Sequence, residues 1–211
     1  MKKKALIWDL DGTLLDSYKI IVASLRNTLL EMGISMKDEE ILRFVTEYSV
    51  NLFIKEIANK TSIPIEKIKK RYSEISDVKT LEIKPITNAE EMLKGVSDNG
   101  VLNYVYTHRG KSSHVVLQNI GLKSYFTEIV TSENGFNRKP SPDAVNYLVE
   151  KYELDKRSTY YVGDRSIDIE CAKNAGIRSI LYLPKKGYGM AKGKEDYIVQ
   201  DLLDIINIMK E

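Results

Sequence analysis

The chain has 211 residues, 43% of them apolar, which suits one large domain or a domain with a modest insert and excludes wholesale disorder. With 32 Lys and Arg against 30 Asp and Glu the formal charge is +2, so no electrostatic reason exists to expect a nucleic-acid or membrane-surface partner. A single cysteine, Cys171, forbids an internal disulfide, two histidines are too few for a structural zinc site, and no apolar run approaches the ~20 residues of a membrane span.

The basic start Met1-Lys2-Lys3-Lys4 leads into only four apolar residues and then an acid, so no export signal is expected and the chain is read as cytoplasmic. Those residues, Ala5-Leu6-Ile7-Trp8, are too few for a helix and do not alternate, which predicts a strand buried on both faces. From Asp16 to Lys84 no strand pattern occurs. Helical spacing recurs instead, at Ile21, Leu25, Thr28 and Met32 and again at Ile65, Ile68, Tyr72 and Ile75, with Pro64 suited to a first turn. Roughly seventy residues of helix is far more than a crossover between parallel strands needs. Residues 15–84 are therefore expected to form an all-helical cap, hinged near Leu14–Ser17 and Lys79–Pro85, inserted into an α/β core of residues 1–14 and 85–211.

Further strands are expected at Val101–Tyr106, Glu128–Val130, Thr159–Val162, Ser179–Tyr182 and Tyr197–Val199. Helical faces lie between them: Met92, Leu93 and Val96; Val116, Leu117 and Ile120, closed by Gly121; Val145, Leu148, Val149 and Tyr152, opened by Ser141-Pro142 as N-cap and first residue; and Ala172 and Ala175, capped by Gly176. Strands alternating with helices predict a Rossmann-like parallel sheet covered on both sides. The lysines at 2, 3 and 4 read as a solvated tip, and Lys185, Lys186, Lys192 and Lys194 as a mobile surface loop.

In open parallel sheets ligands bind outside the carboxyl ends of the strands. Strand one is followed by Asp9-Leu10-Asp11-Gly12-Thr13, the second long run by Thr107-His108-Arg109-Gly110, and the run through Val162 by Gly163-Asp164-Arg165-Ser166-Ile167-Asp168. Arg138-Lys139-Pro140 lies in the loop after the third strand. Asp9 and Asp11, two apart in extended chain, can face one way while Leu10 turns inward. These carboxylates together with Asp164 would repel one another unless a positive group sat among them, and oxygen ligands of this kind suit Mg²⁺. Lys139 supplies a second, fixed positive charge. Asp-Gly after a strand usually signals a hairpin, but here a helix follows instead of a return strand.

Taken together, Asp-Leu-Asp-Gly-Thr (9–13), Thr107, Lys139-Pro140 and Gly163-Asp164 with Asp168 resemble the four motifs of the haloacid-dehalogenase superfamily, in order and each at a strand end. The resemblance implies a nucleophile at Asp9 that forms an aspartyl-phosphate, and at Asp11 a general acid and then base. It implies that Thr107 and nearby amides hold the phosphoryl oxygens and that Lys139 neutralises charge. Mg²⁺ would be held by Asp9, Asp164 and the backbone carbonyl of Asp11, and Asp168 would be a supporting acid, either a water-mediated ligand or an orienter of Lys139. Asp11 with Asp164 points away from carbon–halogen chemistry and towards a phosphatase for a small phosphorylated metabolite, over which a helical cap of the phosphoglycolate-phosphatase and β-phosphoglucomutase type would close. A sugar-phosphate mutase is the alternative, disfavoured because the insert contains no histidine. A non-catalytic binding protein is disfavoured because Asp9, Asp11 and Lys139 are all present.

Other residues receive plainer readings. His108 either lines the phosphate pocket or faces solvent, and Arg109 is similarly placed. His114 is expected on a helix surface, and Cys171 packed behind the last motif as a small hydrophobe. Of the thirteen tyrosines only Tyr18 and Tyr48 are candidates to meet substrate. Nothing demands a second subunit, so a monomer is expected.

Overall fold

The computed structural model describes residues 3–185 and 194–210. Lys2, Lys186 and Lys192 lie outside the described residues, while Lys3, Lys4, Lys185 and Lys194 are exposed. The chain divides into two compact units, residues 1–16 with 84–211 and residues 17–83.

The first unit is built on a six-stranded sheet. Its members are β1 (Lys3–Trp8), β4 (Leu102–Tyr106), β5 (Glu128–Val130), β6 (Leu154–Gly163), β7 (Arg178–Tyr182) and β8 (Tyr197–Val199), in the order β5-β4-β1-β6-β7-β8 with every pair parallel. Apolar runs too short for helices become strands because both their faces are covered. Ala5 and Ile7 point into a core with Val145, Leu148 and Val149 of α7 (Asp143–Tyr152) and Cys171, Ala172 and Ala175 of α8 (Ser166–Ala175). Their neighbours Leu6 and Trp8 face the other way, as the two-residue period requires. There the Trp8 indole N–H donates to Asn103 Oδ1 at 2.9 Å, and Asn103 Nδ2 donates to Ser97 Oγ at 3.1 Å on α5 (Ala89–Asp98). This buried polar chain ties the central strand to its neighbour and to a helix. Two more helices complete the unit, α6 (Ser112–Asn119) and α9 (Asp204–Ile208).

All six strands expected from sequence are present; Glu128–Val130 and Tyr197–Val199 keep their expected bounds, and the other four differ at one or both ends. Two local details differ. The cap of α7 is Pro142 rather than Ser141, because Pro142 takes helical dihedrals just outside the helix; Ser141 Oγ still accepts the Asp143 N–H at 3.4 Å. Two two-residue strands went unread, β2 (Leu15–Asp16) and β3 (Lys84–Pro85), which pair antiparallel where the chain leaves and re-enters this unit. Segments that short carry no periodicity.

The second unit holds four helices, α1 (Tyr18–Glu31), α2 (Asp38–Glu47), α3 (Val50–Thr61) and α4 (Ile65–Lys79). Ile21, Val22, Leu25 and Leu29 of α1 form its core with Ile41, Val45, Phe53, Ile54, Ile57 and Ile68. Ile68 alone of the expected α4 face is fully buried; Tyr72 and Ile75 are half-buried. No helix among the described residues is long and apolar enough to cross a membrane.

Removing one member of the Trp8–Asn103–Ser97 chain strands a buried donor, which costs ~1–3 kcal/mol. Asn103→Leu is therefore expected to lower unfolding stability by about that amount in urea titrations. A variant as stable as the parent would show that the indole N–H finds another acceptor.

Candidate active site

The sheet order puts β1 at its centre, with β4 and β6 on either side, and the chain leaves β1 towards β4 but leaves β6 towards β7. Such a reversal opens a crevice at the carboxyl ends of the strands. Asp9, the first residue past β1, donates its N–H to Val162 O at 2.9 Å, so β6 fixes its backbone. The chain then coils around one carbonyl: the N–H groups of Thr13, Leu14 and Leu15 all point at Leu10 O, at 3.1, 3.0 and 2.9 Å. Gly12 makes the turn at φ 81°, a conformation that side chains disfavour. Leu10 is buried and Asp11 is left partly exposed.

Lys139 is the hub. Its side chain is fully buried, and Nζ lies 3.0 Å from Asp9 Oδ1, 2.7 Å from Asp168 Oδ1 and 3.1 Å from the Tyr161 hydroxyl. An ammonium has three N–H bonds; Asp168 and the Tyr161 hydroxyl accept two of them, and the Asp9 carboxylate lies at ion-pair distance. The Tyr161 hydroxyl in turn donates to Tyr106 O at 2.6 Å, and the rings of Tyr106 and Tyr161 stand 5.5 and 5.4 Å from Nζ, within cation–π reach. Burial works to discharge the ammonium, but Asp168 and Asp9 outweigh it and hold the Lys139 pKa above its usual value. Burial pushes Asp9 upward, Lys139 opposes, and Asp168 adds to the rise.

The three acids are not equivalent. Asp168 spends one oxygen on Lys139 and accepts the Arg165 N–H at 3.2 Å with the other. Its position also dictates the glycine of the last motif, since a Cβ on Gly163 would sit 2.4 Å from the Asp168 side chain. Asp9 Oδ2, by contrast, is buried without a hydrogen-bond partner among the described residues, with Arg165 Nη2 at 3.8 Å. Asp164 is 7% exposed, and Thr13 Oγ1 approaches its Oδ1 at 3.4 Å. Asp9, Asp164 and Asp168 each offer a carboxylate oxygen within 4.8 Å of the others. Buried acids this close need positive charge among them.

At the end of β4, Thr107 is 1% exposed; its N–H reaches Val130 O at 3.0 Å and its Oγ1 accepts the Arg109 N–H at 3.1 Å. His108 is half-buried and has a partner that its spacing did not suggest. Its Nε2 accepts the backbone N–H of Lys139 at 2.8 Å, and its ring meets Tyr106 edge-on. Burial, followed by the charges of Lys139, Arg138 and Arg165, pushes its pKa down to about 2. Arg109 lies on Asp11: Nη2 is 2.6 Å from Oδ1, and Nε is 3.2 and 3.3 Å from the two oxygens. Cys171 is buried with its thiol 3.2 Å from Ser141 O and its pKa pushed up to about 12 by burial, and His114 is exposed on α6. Tyr48 caps α2 at 49% exposure, and Tyr18 opens α1.

Asp9, Thr107, Lys139, Asp164 and Asp168 thus gather at one sheet edge, and Asp11 joins them through its loop. Sequence reasoning passed over Tyr161, which looked like one more apolar strand residue. The only available signal was its parity, two residues before Gly163 on a strand that ends at the motif. The Arg109–Asp11 pair and the acceptor role of His108 carried no sequence signal, because each partner lies far away along the chain.

A haloacid dehalogenase-like hydrolase family model matches residues 6–182. The chain is 27% identical to the pyrophosphatase PpaX of Oceanobacillus iheyensis, covering 99% of this chain and 98% of that protein. It is 24% identical to the phosphoglycolate phosphatase of Vibrio vulnificus, covering 98% and 96%. The crystal structure titled as a predicted phosphoglycolate phosphatase from Haemophilus somnus shares the fold, with a TM-score of 0.86 at 21% identity over 99% and 98% of the two chains. The chain belongs to the haloacid dehalogenase-like hydrolase family. It is an enzyme, and its relatives place it among the family's phosphatases.

The half-buried His108 gives a pH signature. The folded ring refuses a proton that the unfolded chain accepts below about pH 6.5, so protonation favours unfolding. Stability is expected to hold above pH 6.5 and to decline below it, by at most about 1.4 kcal/mol per pH unit from this group. His108→Gln should flatten that part of the profile. A histidine ring signal titrating between pH 5 and 7 in the folded chain, read by NMR and assigned to His108, would contradict the buried neutral state.

Proposed function

We propose that the chain is a Mg²⁺-dependent phosphatase that hydrolyses a small phosphorylated metabolite through a phosphorylated Asp9. The carrying observation is Asp9 itself: a buried carboxylate with one oxygen neutralised by Lys139 and the other without a hydrogen-bond partner among the described residues. The relatives named pyrophosphatase and phosphoglycolate phosphatase support the reaction class.

A hard cation fits this site, because the orphaned Asp9 oxygen and the buried Asp164 carboxylate make an all-oxygen donor set. Asp9, Asp164 and the Asp11 backbone carbonyl would hold Mg²⁺, which when bound neutralises phosphoryl oxygens as charge develops on them. Asp168 is the orienter of Lys139 rather than a ligand, since both of its oxygens are engaged.

The reaction runs in two balanced steps. A carboxylate oxygen of Asp9 bonds to phosphorus while the bond to the leaving oxygen breaks, and the leaving oxygen takes a proton from Asp11. Water then attacks the phosphorus of the aspartyl-phosphate and gives a proton to the Asp11 carboxylate, which restores Asp9 and releases phosphate. Lys139, held on three sides, needs no reorganisation to meet the charge on the transferring group. The Thr107 hydroxyl accepts from Arg109 N–H, which leaves its own proton to donate to a phosphoryl oxygen. His108 serves by fixing the Lys139 peptide. The helical insert is the proposed cap.

Asp9→Asn is expected to abolish release of phosphate while the far-UV spectrum stays that of the parent; hydrolysis surviving in this variant removes Asp9 from the nucleophile role. Asp11→Asn should slow turnover by at least ~10², the ordinary scale of acid–base assistance. The loss should be smallest for a nitrophenyl ester, and equal losses across leaving groups would argue against proton donation. Chelation should remove activity and added Mg²⁺ restore it; full turnover in excess chelator sinks the metal assignment.

A further inference from the structure

We propose that Arg109 is a specificity-determining residue that selects phosphoryl substrates whose leaving group carries a second anion, a carboxylate or a phosphate. The proposal rests on the phosphatase reading above and concerns the surroundings of Asp11. The guanidinium is not a loose surface group. Its side chain is 12% exposed, its backbone N–H is bonded to Thr107 Oγ1 at 3.1 Å, and its carbonyl accepts the Ser132 N–H at 3.2 Å. Nη1 lies 3.3 Å from Ser112 Oγ. Nε and Nη2 fork onto Asp11, the acid assigned to the leaving oxygen.

Two facts make this fork a recognition group. First, its planar geometry matches a carboxylate or phosphate in two-pronged fashion, which a lysine cannot do. Secondly, its partner is the most accessible acid of the site, 23% exposed in its side chain where Asp9 and Asp168 are 3% and 0% exposed. An incoming carboxylate or phosphate offers the guanidinium the same two-pronged acceptor geometry as Asp11, so it can take that place on the fork. A leaving group with an anion one or two bonds beyond its ester oxygen takes the guanidinium from Asp11. That exchange binds the substrate and turns the Asp11 carboxyl over to the ester oxygen. A neutral leaving group offers nothing in exchange and leaves Asp11 clamped.

The test compares kcat/KM for 2-phosphoglycolate, pyrophosphate and ethyl phosphate in the Mg²⁺-loaded parent, Arg109→Met and Arg109→Lys. In the parent a neutral substrate leaves Asp11 clamped, whereas Arg109→Met frees it for all three, so the KM of the anionic substrates, read separately from kcat, carries the recognition role. The parent is expected to prefer at least one of the two anionic substrates over ethyl phosphate by at least ~10-fold, the scale of one charged hydrogen-bond pair. Arg109→Met should erase that preference, mainly through KM, and Arg109→Lys should restore part of it. The preferred anionic substrate tells whether carboxylate or phosphate is the natural anion. No preference in the parent, or a preference that survives in Arg109→Met, overturns the proposal. A parent inactive on all three and on nitrophenyl phosphate is a different pattern, and it overturns the phosphatase reading together with this one.

Discussion

One buried charge organises this molecule. Taking an ammonium out of water costs several kcal/mol unless the surroundings replace what water supplied. Lys139 meets that requirement with two carboxylates, the Tyr161 hydroxyl and the ring of Tyr106. Those groups come from β4, β6, α8 and the end of β1, so the lysine can stay charged out of water only when the sheet and its covering helix have assembled. The dependence is mutual: Asp9 and Asp168 could not both stay ionised this close without it. Removing Lys139 itself would leave two buried carboxylates without compensation, a loss of ~3–5 kcal/mol in comparable cases.

The sheet order makes the cluster possible. Because β1 lies between β4 and β6, the loops that follow three adjacent strands open onto a shared crevice. Asp9 can then lie beside Asp164 although they are far apart along the chain, and β6 delivers Tyr161 inside the sheet and Asp164 at its tip. The Gly163 position shows how tight the fit is, since a methyl group there would collide with the acid that steers the lysine. The polar chain from Trp8 to Ser97 anchors the opposite face of the same central strand.

Around this hub, His108 and Arg109 do positional work. His108, driven neutral by burial and by three nearby cations, is an acceptor that fixes the backbone of Lys139. Arg109 links the Thr107 turn to Asp11. Relatives sharing only about a quarter of their residues match over nearly the whole chain, which fits a fold whose constraints fall on few positions.

The amino-acid sequence by itself determined the strands, the helical insert and the acids at the strand ends, because each is written in local periodicity or in short spacing. A run such as Ala5–Trp8 must be covered on both faces, and Asp-Leu-Asp-Gly-Thr must turn after its strand, whatever surrounds them. What only the tertiary structure decided is partnership. That Asp168 lies on Lys139, that the His108 ring meets a peptide N–H, and that a guanidinium lies against Asp11 depend on atoms brought together from distant parts of the chain. The pairing of β2 with β3 and the placement of Tyr161 belong to the same class. Periodicity records which way a side chain points; which charge, donor or ring it then meets is settled by the order of strands in the sheet.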